Sequence, residues 1–194
     1  MQYNTLKRAN LLASYLMDNG ISPSRITIES LSDNFPMVKE TISGKTNSEY
    51  LAYNKRIDWE IRDLDGSVLL SHSIDRHSIP GYALDKRYEL FQHIREDVYY
   101  SVEIASSSHI YKNAILRLYD DLYIRKASPL AHNKYYIGII NKYQDVVALQ
   151  KELEESSATY AKIVAFYNGM PIDESNIDYL IKDYPELKKI KDNR

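Results

Sequence analysis

The stretch VYYSVEIA, residues 98–105, decides how the second half of this chain is read. Val98, Tyr100, Val102 and Ile104 alternate with Tyr99, Ser101, Glu103 and Ala105, the two-residue period of a strand whose side chains point to opposite faces. Working outward, YIRKA (123–127) and KYYIGII (134–140) read as two more strands, QDVVALQKELEE (144–155) as an amphipathic helix, and TYAKIVAFYNG (159–169) as a closing strand ended by Asn168-Gly169. Strands interleaved with helices in this way predict an α+β unit over residues 97–172. ESNIDYLIKDY (174–184) reads as a last short helix within a C-terminal helix and charged tail, 173–194.

The first half has its own pattern. Leu6, Ala9, Leu12, Ala13 and Leu16 follow helical spacing, with Thr5 as the expected N-cap and Asn19-Gly20 as the left-handed stop. RITIES (25–30) reads as a strand, and Thr46 with Glu49 has capping-box spacing for a helix over 46–53. Ile57, Trp59 and Ile61 then alternate with Asp58, Glu60 and Arg62 ahead of a tight turn at Asp65-Gly66, which predicts a hairpin with one buried face. A module over 1–72, a linker over 73–96 that contains Pro80-Gly81 and the helical segment LDKRYELFQHI, and a module over 97–172 make up the expected organisation.

Composition narrows the function classes. A formal charge of −2 over 194 residues is too near neutral for a partner held by phosphate neutralisation, so nucleic acid is discarded. No apolar run approaches the ~20 residues needed to span a bilayer, and the N-terminus lacks signal-peptide order, so any export address is expected upstream. With no cysteine there is no disulfide, thiolate metal site or cysteine nucleophile. His72 and His77 lack a metal-ligand spacing, Asp120-Asp121 lacks the geometry of a catalytic dyad, and no GxSxG, HExxH or phosphate-cradling glycine loop occurs. The chain is therefore expected to be non-catalytic, with no cofactor.

Residues 1–62 resemble the second half of the OmpA-like peptidoglycan-binding domain. Thr5, Arg8-Ala9, Tyr15-Leu16 and Gly20-Ile21 are followed by SDNFP ending at Pro36, then by Asn54, Lys55, Arg56, Ile57 and Glu60 in the family's order. In that family the arginine, with an aspartate, grips the diaminopimelate of the stem peptide. The resemblance thus implies Arg8 as the carboxylate ligand and Thr5 as its neighbour, and a guanidinium fork beside free helix N-terminal amides suits an anion. An ordinary solvated arginine remains the alternative. The family's aspartate belongs to a preceding segment this sequence does not include, and its loop glycines are replaced by Ser30 and Ser32.

Residues 97–172 resemble a SPOR-like domain, of the ferredoxin-like βαββαβ type, as it accompanies OmpA-like domains in outer-membrane-associated proteins of the Bacteroidota. YYSVEIASS, KYYIGIINKY, ALQKEL and YAKIVAFYNGMPI carry the likeness, while Glu103, Asn141 and Pro171 depart from the usual glutamine, glycine and arginine. SPOR domains bind glycan strands on an exposed sheet face, so Tyr99 or Tyr135 is expected to be exposed as a sugar-stacking platform while alternate tyrosines fill the core. Together the two likenesses imply a periplasmic, outer-membrane-associated module whose partner is peptidoglycan, through either its diaminopimelate or its glycan. A docking subunit that keeps both folds, has lost both ligands and binds other outer-membrane or periplasmic proteins is the alternative.

Overall fold

The computed structural model describes residues 2–31, 34–46, 48–63, 67–87, 94–156 and 160–192. Helix α1 (Gln2–Asp18) buries Leu6 and Ala13 and ends as its sequence predicts: Gly20 takes φ +90°, and the Gly20 and Ile21 amides donate to Met17 O and Leu16 O. These nested bonds satisfy the last carbonyls of the helix. Its start differs from expectation, because the helix begins at Gln2 and Thr5 lies inside it rather than capping it. The Thr5 hydroxyl instead shares a 2.8 Å hydrogen bond with Ser30 in strand β1 (Ile28–Ser30).

After β1 come a short hairpin, β2 (Thr41–Ile42) with β3 (Lys45–Thr46), helix α2 (Ser48–Asn54), and a second hairpin, β4 (Trp59–Arg62) with β5 (Val68–His72). Thr46 thus lies in β3, paired with Thr41, and does not head the helix. The turn expected at Asp65-Gly66 and most of the helix expected over 84–94 lie outside the described residues. Asn54, from the motif that closes the first resemblance, accepts from Val38 N at 3.1 Å and donates to Val38 O at 3.0 Å. Its side chain serves Val38 as a neighbouring strand would and anchors a small core of Met37, Val38, Tyr50, Ile79 and Ala83.

The main sheet is built from β6 (Val98–Ser107), β7 (Tyr123–Lys126), β8 (Asn133–Ile140), β9 (Lys162–Tyr167) and β10 (Met170–Pro171) together with β1, in the antiparallel order β1-β7-β8-β6-β9-β10. The protein is α+β. Helices α3 (Tyr143–Glu155), α4 (Glu174–Leu180) and α5 (Leu187–Asp192) share one core with α1 and the Val98, Tyr100, Val102 and Ile104 side of β6. β1 pairs with β7 through Ile28–Lys126, Glu29–Arg125 and Ser30–Ile124, so α1 and β1 pack with the sheet of residues 98–171, across the boundaries expected at 72 and 97. Between β6 and β7 there is a 3-10 turn, Ala114–Arg117, where a βαββαβ unit carries its first α-helix.

Asn168 (φ +48°) and Gly169 (φ +76°) form the expected turn between β9 and β10. Gly138, inside β8, takes φ +84°, and a Cβ there would stand 2.8 Å from Leu149 Cδ2 on α3. Gly138→Ala is therefore expected to destabilise the fold by about 1–3 kcal/mol, read as a lower urea midpoint at unchanged slope.

Candidate functional site

The second side of β6 carries Tyr99, Ser101 and Glu103, which meet Tyr123 and Arg125 of β7, Tyr136 of β8 and Phe166 of β9. This is the face the SPOR-like resemblance would leave open for sugar. It is closed. Phe35, from the SDNFP segment, packs into the Tyr99, Tyr123, Tyr136 and Phe166 cluster with Leu31 and Ile94 at its margin, and Asn34 fastens that segment by donating to Leu122 O at 2.7 Å.

Tyr99 is only 1% exposed and lies parallel to the Phe166 ring at 4.8 Å, while burial pushes its hydroxyl pKa up to about 12. Tyr135 is 0% exposed, on the helix-covered side, where its hydroxyl accepts from the Tyr111 amide at 3.0 Å. Neither tyrosine presents a platform, which corrects the expectation. Strand alternation puts each residue on a face without fixing whether that face is covered. Glu103 sits on the closed face, held by Lys134 Nζ and the Tyr136 hydroxyl, both at 3.1 Å.

At the edge of this face three side chains converge. Glu29 of β1 accepts from Arg95 at 2.6 Å and from Arg125, and Arg125 also donates to Gly169 O at 2.7 Å. Burial alone would raise the Glu29 pKa, but Arg95 and Arg125 outweigh it and hold the carboxyl below its ordinary 4.5. Glu60 and Arg62 of β4, themselves paired at 2.6 Å, act on the same cluster: Arg62 helps to lower Glu29 and Glu60 helps to raise Arg95. A fully partnered cluster of this kind fastens β1, β7, the β9–β10 turn and the segment preceding β6 together. Sequence reading passed over it, although an arginine between apolar strand positions, as in YIRKA, is the signal that such a partner exists.

The β4–β5 hairpin departs most from expectation. Its alternation is present, but neither side is buried: Glu60, Val68, Leu69 and Ser71 are exposed, and so is the side that carries Trp59, Ile61 and Leu70. Trp59 is 39% exposed, Ile61 48% and Leu70 54%, with Trp59 stacked on His72 across the pair at 5.8 Å. The buried face expected of this strand is thus not found, since both faces of the hairpin meet solvent.

Arg8 is exposed in the second turn of α1, beyond the free amides of the first turn. It shares an outer strip with Leu11 and Tyr15, at i, i+3 and i+7, both more than 60% exposed. The groove that runs along α1 is lined by Lys7 and not by Arg8. Thr5 is turned to Ser30 on β1. Among the described residues no group of three histidines or acids is placed to hold a metal, and no helix is long and apolar enough to cross a membrane. No family model, curated protein or solved structure matches the chain.

Because the Glu29 pKa is lowered on folding, its contribution is complete above about 4.5 and fades as pH falls through the folded-state value. Glu29→Gln removes the carboxylate that two arginines share and is expected to cost about 3–5 kcal/mol at pH 7. Urea midpoints of variant and parent should stand apart at neutral pH and converge in acid.

Proposed function

We propose that this chain is a non-catalytic docking subunit of a periplasmic, outer-membrane-associated assembly, and that it takes up an extended apolar segment of another envelope protein beside β5. The observation that carries this reading is the hairpin. Trp59, Ile61 and Leu70 form an apolar face open to solvent, and β5 has only β4 as a strand neighbour among the described residues. From Ser67 to Ile74 the edge SVLLSHSI holds neither charge nor proline, the devices that usually keep a free edge from pairing. Such an edge recognises a partner through main-chain hydrogen bonds and an apolar face through alternate side chains. The envelope setting rests on the OmpA-like and SPOR-like resemblances. The strand order β7-β8-β6-β9, with the first strand of the unit between its third and fourth, supports the second of them. The closed aromatic face and the buried Tyr99 and Tyr135 favour docking over glycan binding.

A second reading, attachment to peptidoglycan through Arg8, is favoured by the exposure of that side chain on α1. Cosedimentation with peptidoglycan sacculi separates the two. Under the docking reading the purified chain stays in the supernatant; under the attachment reading it pellets, and Arg8→Ala releases it. In the intact envelope, a photo-crosslinker at position 70 should repeatedly join one protein, and Trp59→Ser should abolish that product without loss of fold. Pelleting that depends on Arg8, or equal crosslinking from position 71 on the opposite face, would overturn the docking reading.

A further inference from the structure

A shallow, open groove of about 490 Å³ runs between α1 and the ends of β6, β7 and β8. Lys7 stands on its helix wall and Lys126 on its strand wall, and among the described residues no aspartate or glutamate lines it. Among the described residues no carboxylate pairs with either lysine. Lys126 donates to the Pro129 carbonyl, and burial lowers the pKa of its ammonium, so an arriving carboxylate would find a cation already partly stripped of water.

The independent sign of a ligand is Asn133. It opens β8, is 8% exposed, and lines the groove. Its side-chain amide makes no hydrogen bond among the described residues, whereas buried amides are as a rule partnered. Among the described residues no side-chain nitrogen or oxygen is both sealed from solvent and unpartnered, so this amide is open to solvent on the groove side. Asn10 adds a second amide from α1, and Leu11 and Ile110 supply apolar surface, both substantially exposed.

Two unopposed cations, amides able to donate and accept together, and an apolar margin match one chemistry. We propose that this groove binds a short acidic peptide, its carboxylate between Lys7 and Lys126 and a backbone amide on the side chain of Asn133. An amide side chain pairs with a peptide unit in both directions, which a sugar hydroxyl does not require. The site lies apart from the β4–β5 hairpin and does not depend on the docking reading.

The test is an NMR titration of the ¹⁵N-labelled full chain with N-acetyl-alanyl-glutamate, its neutral N-acetyl-alanyl-glutamine amide, and glucuronate. The acidic dipeptide should move the Asn133 and Asn10 side-chain amide signals saturably, with affinity weakened about tenfold or more by Lys7→Gln or by removing the ligand charge, and weakened further by salt. Asn133→Asp, which keeps the shape but adds a negative charge, should abolish binding. Lys7 is exposed, so its variant keeps the fold and the test does not hang on Asn133 alone. Equal shifts from the neutral amide, unchanged affinity in Lys7→Gln, or an equal response to glucuronate would each overturn the acidic-peptide assignment.

Discussion

Strand β6 has a paired neighbour on both edges and a core on both faces, and that position constrains nearly everything else in the molecule. A strand enclosed on four sides must fill two cores with side chains of alternate parity. VYYSVEIASS does so with Val98, Tyr100, Val102 and Ile104 toward the helices and Tyr99 toward the aromatic cluster. Its polar members on the second side are satisfied in place. Ser101 lies 2.8 Å from the Tyr123 hydroxyl and donates to Gly138 O at 2.5 Å, while Glu103 is held by Lys134 and Tyr136. Burial of this kind is stable only because each polar group finds a partner inside the sheet.

Closure of the second face links the two halves of the chain. Phe35 and the Glu29–Arg95–Arg125 cluster come from segments distant in sequence, yet both press on the same aromatic surface. The apolar contact excludes water and the ionic contact fixes register, since Glu29 stands opposite Arg125 in the β1–β7 ladder. Covering this face also removes it as a platform for a carbohydrate. The surfaces proposed for recognition lie elsewhere, on the hairpin and in the groove beside α1.

These two proposed surfaces differ in chemistry and so in what each would select. The hairpin offers main-chain groups and large apolar side chains with little charge, which suits an extended strand. The groove offers cations and amides with a narrow apolar margin, which suits a small anion with a peptide character. Arg8, on the outer flank of α1, does not line the groove.

Local chemistry was legible in the residues alone wherever it acts over a few positions. Asn19-Gly20 ends α1 and Asn168-Gly169 turns β9 into β10 because left-handed backbone needs such residues, and the alternation of 98–105 makes a strand whatever surrounds it. The helical spacing of 144–155 likewise sufficed for α3. What only the tertiary structure decided is which faces are covered. Thr5 lies inside its helix with its hydroxyl on Ser30, Tyr99 and Tyr135 are sealed by Phe35 and by the helices, and the apolar side of β4 is left in water although its alternation predicts burial. A two-residue period states that two faces differ; choosing the buried one depends on partners tens of residues away, and no local pattern encodes them.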